Sequence, residues 1–99
     1  METKTKYLLI VANTPSPNTR VLYEEVIKGA STPKAENIKI IARDPLKAVP
    51  EDVFKASAAI FGTTENLGYM SGALKDFFDR IYYPCLDIKQ GMPFAFYIR

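Results

Sequence analysis

Two polar stretches hold the residue types that could do chemistry. The first is Asn13-Thr14-Pro15-Ser16-Pro17-Asn18-Thr19, which offers hydroxyls, side-chain amides and backbone N–H groups. The second is Thr63-Thr64-Glu65-Asn66-Leu67-Gly68-Tyr69, which ends in a glycine and an aromatic residue. If the first stretch opens a helix, the free N–H groups and the dipole of that helix favour an anion. A phosphate held there gains about 1.5–3 kcal/mol for each charge-assisted hydrogen bond. No lysine or arginine precedes the turn, although Arg20 follows it. Neither GxxxxGK[ST] nor GxGxxG is present, which argues against a nucleoside triphosphate or a dinucleotide and suits a terminal monophosphate. The competing reading of the loop is a plain helix start, with Ser16 as the cap and Thr14, Asn18 and Thr19 in water.

Other chemistries are removed by composition. There is no histidine, which excludes Ser-His-Asp and Cys-His systems and most catalytic zinc sites. The single cysteine, Cys85, cannot form an internal disulfide, and a reducing, cytoplasmic compartment is expected. Cys85 has no basic neighbour in sequence to activate it and reads as a structural thiol. Glu65 is the only acid in either loop. Asp76 and Asp79 read as solvated charges on a helix, with Lys75 and Asp79 an i,i+4 pair. The net charge of +2 is too small, and Lys and Arg too scattered, for a nucleic-acid surface. No apolar run is long enough to span a membrane, and no signal peptide is expected at the start.

The elements that position these loops alternate in type, within one domain of 99 residues. Lys6 to Ala12 (KYLLIVA) is a short apolar run and reads as a strand buried on both faces. A helix is expected from Pro17 to Lys28, with Ser16 at the N-cap, a stripe of Leu22, Val26 and Ala30, and Gly29 and Pro33 ending it. Asn37 to Ala42 is the second strand, and its Lys39 predicts an edge position. Pro50 to Ala56 is a short helix opening on two acids. Ala58 to Gly62 is the third strand. Ser71 to Tyr83 is an amphipathic helix stopped by Pro84, with Met70, Leu74, Phe77, Phe78, Ile81 and Tyr82 on its apolar side. Pro93 to Ile98 is the fourth strand. Alternating strands and helices imply an α/β fold with a parallel sheet and right-handed crossovers. Both polar loops directly follow strands, so they should meet at the carboxyl edge of the sheet, where such folds bind ligands.

Taken together, TPSPNT and FGTTENLGYMSGALKDFFDR, with YYPC after them, resemble the flavodoxin-like superfamily, in particular its NAD(P)H-dependent FMN reductase and flavodoxin-family branch. The likeness runs over essentially the whole chain. It implies a three-layer sandwich with strand order 2-1-3-4, truncated to four strands with helices on both faces. It also implies bound flavin mononucleotide (FMN). Thr14, Ser16, Asn18 and Thr19 would hold its phosphate, and Thr63, Thr64, Glu65, Asn66, Leu67, Gly68 and Tyr69 would frame its isoalloxazine ring. No catalytic side chain and no metal is implied, because the cofactor would carry the electrons.

The chain departs from the family pattern at several points. Pro15 and Pro17 each remove a backbone donor. Thr64 stands where the family has proline, and Leu67 where it has an aromatic residue able to stack on the ring. The family's third flavin loop, fifth strand and last helices do not follow the fourth strand. The Pro93 to Ile98 edge is therefore expected to pair with another copy or with a complementary chain. Three functions stay open on these residues. One is an FMN-binding redox protein, acting in electron transfer or in reduction of a flavin or quinone by a nicotinamide. Another is a non-catalytic flavodoxin-like remnant serving as an oligomerising or interaction module. The third is a small anion or phosphate binder without flavin.

Overall fold

A computed structural model describes residues 5–31, 37–86 and 91–99. Its elements run β1 (Lys6–Ala12), α1 (Pro17–Ser31), β2 (Ile38–Arg43), α2 (Pro50–Lys55), β3 (Ala56–Thr63), α3 (Gly72–Cys85) and β4 (Phe94–Ile98). The strands form one all-parallel sheet in the order β2-β1-β3-β4, an α/β fold with β1 and β3 at its centre. The central strands explain the apolar runs. Leu9, Ile10, Val11 and Ala12 are all buried, because both faces of β1 are covered.

The alternation of side chains along each strand sorts the residues by face. Leu9, Val11, Ala59 and Phe61 point to one side, where they pack with Val53 of α2 and with Leu74 and Phe77 of α3. Phe61 sits at the centre of an aromatic group with Phe77, Phe78, Phe94 and Phe96, at ring separations of 6.1, 5.0, 6.2 and 5.4 Å. Leu8, Ile40, Ala58 and Ile60 point to the other side, towards α1. There the cover is thinner. Leu22, Tyr23, Val26, Ile27 and Ala30 are only half-buried, and Thr19 is the one buried residue of the helix. The α1 stripe expected from periodicity therefore lies against the sheet without being sealed by it.

Element ends differ from the sequence expectation in physically readable ways. Helix α1 passes through Gly29 and continues to Ser31, whose hydroxyl donates to the Ile27 carbonyl at 2.8 Å. The expected stop at Pro33 lies outside the described residues. Strand β2 is shifted by one residue. Strand β3 begins at Ala56 rather than Ala58, immediately after α2, because Ala56 pairs with Tyr7 across a register irregularity that accommodates Ser57. Pro84 does not stop α3 at Tyr83. The helix ends one residue beyond it, at Cys85, where the ring has removed only the last-turn donor. Tyr82, expected on the apolar side, is more than half exposed. No helix among the described residues is long and apolar enough to cross a membrane.

Candidate functional site

The two polar loops lie side by side at the carboxyl edge of the sheet. Each follows one of the paired central strands, and a backbone bond ties them together: the Asn13 N–H donates to the Gly62 carbonyl at 3.1 Å. The sequence-predicted site residues are therefore all at one edge, for the topological reason expected of a parallel sheet.

The first loop is built around the start of α1. Ser16 precedes Pro17, the first helical residue, and its Oγ accepts the Thr19 N–H at 3.3 Å. In return Thr19 Oγ1 accepts the Ser16 N–H at 3.0 Å and donates to the Ser16 carbonyl at 2.9 Å. The two hydroxyl oxygens are themselves 3.1 Å apart. This is a capping box in which threonine takes the place of the usual Glu or Gln. Ser16 and Thr19 thus hold each other, and Thr19 is buried beneath the helix start. Thr14 is half-buried and Asn18 is exposed, and neither takes part in the box. Arg20 leans over the Tyr23 ring, 5.5 Å from its centroid.

The second loop is also shaped by its own hydrogen bonds. Thr63 is buried. Its hydroxyl accepts the Ser71 N–H at 2.9 Å and donates to the Thr64 carbonyl at 2.9 Å. Ser71 in turn caps α3 by accepting the Leu74 N–H at 3.2 Å. Thr63 is therefore the bolt between the end of β3 and the start of α3. Beyond it, Asn66 and Tyr69 form an antiparallel bridge, with N–H to carbonyl distances of 2.7 and 3.0 Å. The turn between them has Leu67 at φ 51° and Gly68 at φ 78°, the positive pair of a type I′ turn. The Glu65 carboxylate accepts the Gly68 N–H, which holds the turn against the loop stem. The Glu65 N–H donates to the Arg99 carbonyl at 2.9 Å, extending the β3–β4 ladder into the loop.

A cavity of about 320 Å³ opens beneath this turn, lined by Thr63, Thr64, Glu65, Gly68, Tyr69 and Met70, with Phe96 and Ile98 from β4. Asn66 and Leu67 do not line it, and neither does the first loop. Leu67 projects fully into solvent at the tip of the turn. Phe96 and Ile98 were missed as site residues by sequence reasoning. The signal was available, since period-two alternation places both on the same face as Phe61 once β4 is set beside β3. On the opposite face Tyr97 lies across Gly62, where a Cβ would run into its ring. Its hydroxyl is buried and has no partner, and burial, with the Tyr23 phenol nearby, pushes its pKa above the usual tyrosine range.

The fit to a flavin nucleotide can be judged from these groups. Uncharged donors at Thr14 and Asn18, beside a helix N-terminus, suit a monophosphate ester. An apolar wall of Phe96, Ile98 and Met70, rimmed by Thr64 and Glu65, suits a planar ring with polar edges. Among the described residues no cluster of side chains could hold a metal ion. No protein-family model matches the chain, and no curated protein is significantly similar to it.

Proposed function

We propose that this chain binds FMN at the carboxyl edge of its sheet and acts as a flavodoxin-like redox protein. The observation that carries the reading is the Asn13–Gly62 tie, which sets a hydroxyl- and amide-bearing helix start beside a loop with an apolar ring-sized cavity. In this reading Thr14 and the Asn18 amide hold the phosphate, and Ser16 and Thr19 shape the turn that presents them. Thr64, Glu65 and Tyr69 edge the ring, while Phe96 and Ile98 keep water from one side of it. Bound there, the flavin would supply one- or two-electron chemistry, with a nicotinamide donor or a quinone acceptor as reaction partners.

A second reading has its own observation. The Ser16 and Thr19 hydroxyls are engaged with each other, and Leu67 leaves the ring position without an aromatic partner. On that reading the domain is a scaffold whose function lies in its partner surface. Titration with FMN and with riboflavin, followed by flavin fluorescence, separates the two. The redox reading expects saturable micromolar FMN binding, about tenfold or more weaker for riboflavin, since one charge-assisted bond to the phosphate is worth about 1.5–3 kcal/mol. Thr14→Val should weaken FMN and leave riboflavin unchanged. A folded protein that quenches neither flavin at high concentration leaves the scaffold reading.

A further inference from the structure

We propose that β4 pairs with β4 of a second copy of this chain, antiparallel, about a two-fold axis through Phe96. The inference rests on the strand edge and is independent of whether flavin binds.

The direction of the backbone groups comes first. The Pro93 carbonyl accepts the Ala59 N–H at 3.1 Å, the Arg99 N–H donates to the Thr63 carbonyl at 3.1 Å, and the Arg99 carbonyl accepts the Glu65 N–H at 2.9 Å. Positions 93, 95, 97 and 99 therefore face β3. Alternation along the strand turns the N–H and C=O groups of Phe94, Phe96 and Ile98 to the open side. Those same residues carry exposed apolar side chains, at 63%, 46% and 65% exposure.

The two edges of the sheet are built differently. Strand β2 carries exposed Lys39 and Arg43, the kind of charge that blocks pairing at an edge. Strand β4 has no charge from Pro93 to Ile98. Its edge has nothing to repel another strand.

Self-complementarity identifies the occupant. In an antiparallel ladder, directly opposed residues whose groups face each other exchange both hydrogen bonds. A two-fold axis through Phe96 sets Phe96 against its mate and Phe94 against Ile98, so every outward-facing group on both strands is paired. An axis through Ala95 opposes only Phe94 with Phe96, and one through Tyr97 only Phe96 with Ile98, so each pairs two of the three outward-facing strand residues with one another. The side-chain pairs that result are aromatic with aromatic and aromatic with β-branched on one face, both favourable across strands. The Arg99 residues fall at opposite ends of the ladder.

The strength follows from area. With aromatic side chains worth about 150–250 Å² each, the exposed parts of Phe94, Phe96, Ile98, Tyr82 and Leu86 offer roughly 500 Å² per copy. A stable interface buries about 800 Å² per partner. The dimer should therefore dissociate on dilution.

Sedimentation equilibrium across a wide micromolar range tests this. The unmodified chain should show a reversible monomer–dimer equilibrium. Phe94→Lys and Ile98→Glu should each raise the dimer Kd tenfold or more. The double variant should recover to within a few-fold of the unmodified chain, because the ammonium introduced at position 94 would then face the carboxylate introduced at position 98 of the other copy. Within one chain the two positions are about 13 Å apart along the strand, too far to pair. As a check that needs no substitution, amide exchange at Phe94, Phe96 and Ile98 should slow as protein concentration rises. A folded chain that stays monomeric at several hundred micromolar overturns the proposal. So does a double variant no better than the singles, or amide exchange at β4 that ignores concentration.

Discussion

At Leu67 the backbone enters the left-handed region, φ 51°, with a side chain that gains nothing from it. That conformation costs residues other than glycine, asparagine and aspartate about 1–2 kcal/mol. A type I′ turn prefers Asn-Gly at its two central positions, and Gly68 already fills the second. Leu67→Asn should therefore stabilise the protein by about 1 kcal/mol, or a melting shift of roughly 4–8 °C for a domain of this size. Thermal unfolding by circular dichroism reads it directly. Tyr97 gives a second residue-scale test. Its buried hydroxyl has no partner, and such a group costs about 1–3 kcal/mol. Tyr97→Phe keeps the ring over Gly62 and should raise stability by about 1 kcal/mol. Its pH dependence has a definite sign. The native phenol titrates above the unfolded value of 10.0, so the folded state holds its proton where the unfolded state loses it. Stability from this group is intact below pH 10 and is lost as pH rises through the native pKa. Urea unfolding should show the advantage of Tyr97→Phe widening above pH 10. Lys75, which is partly exposed, is also shifted up, by its hydrogen bond to Asp79 and then by the Asp79 charge.

Among the elements, α3 was the most legible. Its apolar side is set by spacing, and Leu74 and Phe77 are buried where periodicity puts them. On its polar side, Arg80 pairs with the Asp76 carboxylate at 2.7 Å. It also donates from Nη1 to the Ala48 carbonyl at 2.7 Å and from Nη2 to the Pro45 carbonyl. One planar guanidinium thus ties α3 to the segment between β2 and α2. The target carbonyls are more than thirty residues away in sequence, so no local pattern could signal them. Arg80→Met should cost about 2 kcal/mol, because both carbonyls lose a charge-assisted donor. Arg80→Lys should fall between, since an ammonium cannot span both. Chemical denaturation of the three proteins checks the order. Helix α2 shows a related device on a smaller scale. Asp52, near its start, accepts the Val49 N–H at 3.0 Å and lies 3.4 Å from Arg43 Nε.

For the whole molecule, the uneven cover of the sheet is the feature with consequences. One face carries α2 and α3 with a continuous core, yet an apolar trough of about 450 Å³ remains open beside Phe94 and Phe96. Among the described residues the other face carries α1 alone, with a cavity of about 620 Å³ over Leu8, Ile40, Ala58 and Ile60. The trough is bordered by the exposed side chains of Phe94 and Phe96, which belong to the β4 edge proposed above to pair with a second copy.

The sequence by itself determined the elements and their kind. Two-faced apolar runs require a parallel sheet, amphipathic spacing requires helices laid on it, and loops that follow strands must gather at one edge. It could also place Ser16 at a helix cap, because that interaction spans only the next turn. What it could not determine depends on neighbours distant in the chain. Phe96 and Ile98 joined the cavity only because β4 lies beside β3 in register with Phe61 and Thr63. Thr63 became a bolt rather than an open hydroxyl because β3 delivers it to the cap of α3. Long-range register is a cooperative property of the packed sheet, and no window of sequence contains it.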